Sequence, residues 1–269
     1  MRYLKGGIAA LGVDRGGTWT RVTAADRRGR ALRAARFRTS PLRSLPARLG
    51  ALLARWPGAA GAPLVIATRG AIGKPWKKPF LFKALAGRLN LVEVISDAEA
   101  AHLAAFGGRP GLLLIAGTGS VAFSGRPGAF RRTGGLNPVS GDPGSGRWLG
   151  RQYLKLKGRL CEAGRLGHGG QAACARRLLA LARRDSRAAA LVARAHADLA
   201  SLLRRAAAGG RGPVTAALAG GLLADGDFRR GFEKAARLAL APRKLRTLRA
   251  AAPAELAAAR LALLPGRTS

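Results

Sequence analysis

From Leu11 to Asp26 the chain reads LGVDRGGTWTRVTAAD. Two apolar, strand-prone runs flank a Gly-Gly-Thr turn, and Asp14 stands at the end of the first run. A strand–turn–strand unit of this kind can aim backbone N–H groups and a hydroxyl at phosphate oxygens, with the carboxylate placed to hold Mg²⁺. A plain hairpin turn explains the same glycines. Neither the Walker P-loop nor the dinucleotide fingerprint fits, because both place their glycines between a strand and a helix, and here the turn runs into a second strand.

Two other stretches bear on the choice. In IAGTGSVAF, Ile115–Phe123, a second glycine turn again follows one apolar run and precedes another. In VISDAEAAHLAAF, Val94–Phe106, Asp97 closes a strand and opens a helix. Aspartate is a favoured N-cap and needs no further role there. Its functional reading is a general base.

Outward from these turns, strands are expected at Ile8–Val13, Thr20–Ala25, Ala31–Phe37, Leu64–Ala67, Leu91–Ile95, Leu112–Ala116 and Val121–Ser124. Short turns join the first three, which predicts an antiparallel meander. Helical spacing in Leu45–Trp56 and Ala98–Phe106 makes the later pairings parallel. The second half reads as helical: in Ser186–Ala208, apolar Leu191, Val192, Ala195, Leu199, Leu202 and Ala206 share one face until Gly209 and Gly210 stop the helix. No sequence repeat is visible.

Composition bounds the rest. The 269 residues carry 48 Lys and Arg against 13 Asp and Glu, a formal net charge of +35. That field attracts polyanions. Aromatic residues are only 5%, however, and the arginines are spread rather than gathered on one element, so nucleic acid is not the expected partner. Scarcity makes the acids in glycine-rich turns informative. No apolar run reaches the roughly 18 residues of a membrane span, and the stretch after Lys5 is too short for a secretory signal, so a cytoplasmic protein is expected. Cys161 and Cys174 make no disulfide framework, and with His168 they match no zinc pattern.

The order of these pieces resembles the actin/hexokinase-like superfamily of ATPases and sugar kinases, in particular the N-acetylglucosamine kinase branch grouped with the BadF/BadG/BcrA/BcrD-type ATPases. LGVDRGGTWT is similar to the first phosphate motif, SDAEAAH to the segment with the catalytic aspartate and AGTGS to the second phosphate motif. The most specific match is GGLNPVSGDPGSGRWLGRQ, Gly134–Gln152, which resembles that branch's acceptor segment. VTAALAGGLLADGDF, Val214–Phe228, is similar to the strand–Gly-Gly adenosine motif, and Ala252–Leu263 to the closing helix.

The resemblance implies a two-lobed α/β fold with an ATP cleft between the lobes. Residues 1–112, closed by a helix at 253–264, would form one lobe and residues 113–252 the other. It implies that Asp14 binds Mg²⁺ while Gly16, Gly17 and Thr18 face the β- and γ-phosphates of ATP. Gly117, Thr118, Gly119 and Ser120 would hold them from the other lobe, and Gly220 and Gly221 would admit the adenosine. Asp97 would take the acceptor's proton, and Asp142, with Gly141 and Ser145, would bind a small-molecule sugar. The implied activity is ATP-dependent phosphorylation of an amino sugar of the N-acetylglucosamine or glucosamine class, with no membrane partner and room for a homodimer.

Some residues depart from the pattern. Pro143 stands where an acid usually follows Asp142, and Arg15 and Trp19 differ from the usual first loop. Trp148 reads as a packed helix residue and His168 as a loop histidine. Three rivals remain. An ATP-driven activator of a CoA-ester reductase or dehydratase would need a cluster-binding cysteine, and Gly134–Arg151 has none. The zinc-containing repressor and sugar-kinase group has a cysteine cluster that is missing here. A basic polyanion-binding module on a decayed ATPase scaffold is the non-enzymatic reading.

Overall fold

The computed structural model describes residues 7–264 other than Thr18 and Pro138. The chain forms two compact units, one of Met1–Arg109 with Ala250–Ser269 and one of Pro110–Arg249.

The first unit is built on a five-stranded sheet in the order β3-β2-β1-β4-β5. Its strands are β1 (Ala10–Arg15), β2 (Trp19–Ala25), β3 (Ala31–Arg38), β4 (Leu64–Thr68) and β5 (Leu91–Ser96). β1, β2 and β3 form the expected antiparallel meander, and β4 and β5 add parallel to β1. Helices α1 (Leu45–Leu53), α2 (Lys77–Leu85) and α3 (Asp97–Phe106) connect or follow the later strands. α2 escapes the periodicity reading because Lys and Pro fill its first turn in KKPFLFKAL.

Strand alternation sorts the core. Leu11, Val13, Leu64 and Ile66 pack with Leu45, Leu49 and Leu81 on one face of the sheet. Ala10, Val65 and Ala67 meet Ala258 on the other, as a period of two requires. The helix on that second face, α10 (Ala254–Ala262), lies directly over β1. A Cβ on Gly12 would sit 1.9 Å from the Glu255 carbonyl oxygen, so glycine on the strand and alanines on the helix set this distance of approach.

The second unit also has a five-stranded sheet, in the order β10-β9-β6-β7-β8. It is made from β6 (Gly111–Ala116), β7 (Ser120–Arg126), β8 (Ala129–Gly134), β9 (Val214–Ala219) and β10 (Leu245–Leu248). β6, β7 and β8 are again an antiparallel meander, and β9 and β10 are again parallel additions. The expectation of a helical second half is therefore incomplete. β10 is four residues long with Arg and Thr in it, and β8 alternates at a sheet edge with arginines at its centre, so neither shows an apolar run.

The helices of this unit are α4 (Gly146–Leu156), α5 (Ala163–Ala173), α6 (Ala175–Leu181), α7 (Ser186–Ala206), α8 (Gly221–Ala224) and α9 (Gly226–Leu240). α7 buries Ala195, Leu199, Leu202 and Ala206 as its spacing predicts, with Leu191 and Val192 half-buried against the same core. No helix among the described residues is long and apolar enough to cross a membrane.

Candidate active site

In the first unit the carboxyl ends of three parallel strands lie side by side. Arg15 on β1 is in register with Thr68 on β4, and Thr68 with Ser96 on β5. The residues that follow immediately are therefore neighbours: the Gly16–Gly17 turn after β1, Arg69 after β4 and Asp97 after β5. Ligands of open α/β sheets bind at this end.

The turn after β1 is closed by the Gly16 N–H donating to the Trp19 carbonyl at 3.0 Å. Thr39 Oγ1 donates to the Gly16 carbonyl at 3.1 Å. Thr18 lies outside the described residues. Trp19 is flanked by the guanidiniums of Arg36 and Arg38 at 5.0 and 4.5 Å from its ring.

Asp14 is largely buried and paired with Arg21, whose Nη1 lies 3.3 Å from Oδ2. Burial pushes its carboxyl up to about 6, Arg21 opposes this, and the charges of Glu255 and Asp97 add to it. A buried acid with one weak ion pair and two acids in range is a fitting partner for a divalent cation. Among the described residues no group of three or more His, Cys, Asp or Glu could hold a metal. A cation here would need phosphate oxygens and water to complete its shell, as Mg²⁺ does on nucleotides.

Asp97 is the first residue of α3 but not its cap. Ser96 takes that place: its Oγ accepts from the Glu99 N–H at 3.0 Å, and its own N–H donates to Glu99 Oε2 at 2.7 Å. This capping box satisfies the helix start. The alternative reading of Asp97 as N-cap does not hold, because Ser96, in extended conformation, supplies the cap. Asp97 Oδ1 accepts from the Ala98 N–H at 3.1 Å, and its own backbone N–H also bears on the carboxylate. Burial raises its pKa, against the Ala98 N–H and the charges of Arg69 and Lys77.

The second unit brings together its own set. The β6–β7 turn is closed by the Gly117 N–H donating to the Gly119 carbonyl at 2.9 Å. The start of α4 is tied to it: Gly146 N–H donates to the Gly117 carbonyl at 2.7 Å and Arg147 N–H to the Thr118 carbonyl at 3.2 Å. Gly220, at the end of β9, has φ +97°, and a Cβ there would lie 2.3 Å from the Ala116 carbonyl oxygen. A Cβ on Gly117 would be 3.9 Å from the Gly221 nitrogen, so the Gly-Gly segment abuts the glycine turn.

The acceptor-segment residues are engaged within this unit. Asp142 Oδ2 accepts from the Ser120 N–H at 3.2 Å and Oδ1 from the Asn137 N–H at 2.9 Å. Ser120 Oγ donates to the Pro143 carbonyl at 2.7 Å. Ser145 is fully buried and caps α4, accepting from the Trp148 N–H at 3.1 Å. Gly141 has φ +86°, and a Cβ there would come within 3.1 Å of the Trp148 nitrogen. Trp148 itself is buried on α4, as a packed helix residue should be. His168, expected in a loop, is exposed on α5, beside the non-helical Gly167.

The sequence reading passed over Arg69, Lys77 and Ser96. Arg69 follows β4 just as Asp97 follows β5, and that positional parallel was the available signal; among 48 basic residues it did not stand out.

No protein-family model matches the sequence, and no curated protein matches it. Solved structures do. A proposed N-acetylglucosamine kinase from Chromobacterium violaceum superposes with a TM-score of 0.69 at 24% identity, over 94% of this chain and 98% of that one. The fold is that of the actin/hexokinase-like sugar kinases. A hexokinase of the ROK family from Thermus thermophilus matches with a TM-score of 0.60 at 24% identity, over 94% of this chain and 97% of its own. A ROK-family glucokinase from Streptomyces griseus, solved with glucose and AMPPNP, matches with a TM-score of 0.60 at 20% identity, over 94% and 98%.

Proposed function

We propose that the protein is an ATP-dependent sugar kinase whose acceptor is an amino sugar of the N-acetylglucosamine or glucosamine class. The observation that carries the reading is the carboxylate of Asp97, relieved of capping by Ser96 and Glu99 and held at the sheet end that also bears Asp14 and the Gly16–Gly17 turn. Asp97 accepts the proton of a sugar hydroxyl as its oxygen attacks the γ-phosphorus. The bond between that phosphorus and the β–γ bridging oxygen breaks, and ADP leaves. Little covalent work falls to the protein, because phosphoryl transfer rests on positioning and charge neutralisation.

Each further residue has a role in this reading. Gly16, Gly17 and Thr18 offer backbone and hydroxyl donors to phosphate oxygens, and Gly117, Thr118, Gly119 and Ser120 do so on the second unit. Gly220 and Gly221 leave room for an adenosine against the backbone. Asp142 holds the second turn through Ser120 and has lone pairs left for a sugar hydroxyl, next to Gly141 and Ser145. Asp14 would hold Mg²⁺, which supplies neutralisation of the phosphate charge when bound.

The test is ADP release measured against a panel of hexoses, hexosamines and muramic-type sugars, with the product's mass. Stimulation by a hexosamine above neutral hexoses is the expected result. Stimulation by glucose alone would replace the acceptor class, and the absence of any stimulation would remove the kinase reading.

A further inference from the structure

Three cations surround the Asp97 end of the first sheet: Arg15, Arg69 and Lys77. Lys77 lies within electrostatic range of the other two and of Asp97. They differ in what else they do. Arg15 Nη2 donates to the Ser40 carbonyl at 2.7 Å and Nη1 to Thr68 Oγ1 at 3.5 Å, so its guanidinium is tied to the scaffold. Lys77 Nζ donates to the Arg69 carbonyl at 2.5 Å, bracing the segment that presents Arg69. Arg69 is exposed and forms no ion pair among the described residues.

The position of that guanidinium is specific. Its Nη1 comes within 3.1 Å, and its Cζ within 3.8 Å, of where a Cβ on Gly17 would stand. A side chain on Gly17 would have to push the guanidinium back by a few tenths of an ångström. Its charge also acts on Asp97. One guanidinium therefore stands beside the glycine turn and within electrostatic range of Asp97.

We propose that Arg69 is a catalytic residue that holds the equatorial oxygens of the phosphoryl group in transit from nucleotide to acceptor, with Lys77 as its positioning residue. The inference rests on the kinase reading above and adds to it a side-chain charge that the backbone donors do not supply. The phosphoryl group carries its charge on oxygens that change position during transfer, and a guanidinium offers several N–H donors in one plane for them. In this reading bound nucleotide alone would not need this group, since the turns, with any cation held by Asp14, would bind the β-phosphate. Its contribution is therefore to turnover more than to binding.

The experiment compares the native chain with Arg69→Ala, Arg69→Lys, Lys77→Met and, as a control for losing one charge from +35, the exposed Arg88→Ala. Two quantities are read: sugar-dependent kcat and KM for ATP, and retention of Mg·ADP in the presence of aluminium fluoride, which mimics the phosphoryl group in transit. Arg69→Ala is expected to lower kcat by about 10²–10³-fold, the cost of removing one preorganised donor, with KM for ATP changed less than about threefold. It should also lose the fluoride-dependent retention of ADP, and added guanidinium should restore part of the rate. Arg69→Lys should recover only a fraction, Lys77→Met should lie between, and Arg88→Ala should match the native chain.

Turnover within about threefold of native in a folded Arg69→Ala protein, or undiminished retention of Mg·ADP with aluminium fluoride, overturns the proposal. A native chain that shows no retention overturns it too. If no sugar stimulates ADP release but native retention is lost in Arg69→Ala, the kinase reading falls while the role of Arg69 on a transferring phosphoryl group stands.

Discussion

The two units share a strand order and divide the chemistry unequally. Each sheet is a three-stranded meander with two parallel strands added to its first strand. The equivalent positions nevertheless carry different groups. At the carboxyl ends of β1, β4 and β5 stand Asp14, Arg69 and Asp97, all charged. At the ends of β6 and β9 stand Gly117 and Gly220, where backbone lies close to backbone. Asp142, beside the second turn, accepts from the Ser120 and Asn137 N–H groups, whereas Asp97 accepts from backbone N–H groups of its own helix start. One topology thus carries charged side chains beside a glycine turn in one copy and glycines without such charges at the strand ends in the other.

If that division is right, substitutions should separate chemistry from binding by unit. The largest effect is expected for Asp97→Asn, which keeps the shape of the carboxyl and removes the base. Sugar-dependent turnover should fall about 10²–10⁴-fold while Mg·ATP affinity, read by calorimetry, stays nearly native. Unchanged turnover in a folded variant would reduce Asp97 to a helix residue and erase the contrast.

Next comes Gly220→Ala in the second unit. Its φ of +97° is hostile to a side chain, and the added Cβ would lie 2.3 Å from the Ala116 carbonyl oxygen. A loss of stability on the order of 3 kcal/mol, or a displaced Gly-Gly segment with weakened ATP binding, is expected. Thermal melting and an ATP titration read the two. A native melt with native ATP affinity would show that this backbone approach matters for neither.

Asp14→Asn tests how far the first unit sacrifices stability for its charges. The folded carboxyl titrates at about 6, above its ordinary 3.8. Between those values the folded state binds the proton that the unfolded chain has released, so native stability falls as pH rises through that window. Above about pH 6 the penalty is complete, on the order of 2–3 kcal/mol. The asparagine variant should therefore be more stable than native at pH 7–8, equal to it below about pH 4, and weaker in binding Mg·ATP. Denaturant melts across pH decide it: a variant less stable than native at pH 8 would mean that Arg21 outweighs burial.

The smallest expected change is Ser96→Ala, which removes the hydroxyl from the capping box. About 1 kcal/mol of stability should go, as for other N-cap serines. The vacant cap would then compete for the neighbouring carboxylate, so a modest drop in kcat alongside the lower melting temperature would sharpen the account of Asp97.

Much of this was legible in the linear order of residues. The apolar and β-branched runs in LGVDR and TRVTAA, joined by a short Gly-Gly-Thr turn, predict the first hairpin. The strand-then-helix character of VISDAEAAHLAAF is plain, as is the single apolar face of α7. The repeated sheet order was not legible. The two meanders share a pattern of pairing but almost no residues, since LGVDRGGTWT and LLIAGTGSVAF differ at the position that carries Asp14. The edge strands β8 and β10 were hidden because an edge needs only one partner and tolerates arginine and threonine on its open face.

The sequence by itself determined that acids sit beside glycine turns, that the turns lie between strands, and that a helix begins at SDAEAA. These are local matters of turn propensity, alternation and helix initiation, decided by neighbours in the chain. The choice of Ser96 over Asp97 as cap is local too, since the serine and Glu99 three residues on form a capping box. The tertiary structure decided that the Asp97 carboxylate would be buried at the strand end. It also decided that Arg69, among 48 basic residues, would lie beside Gly17, while Arg15 and Lys77 are bound to the scaffold. Those outcomes depend on backbone direction at a strand end and on the register of β1, β4 and β5. Residues far apart in the chain become neighbours only when the parallel strands align.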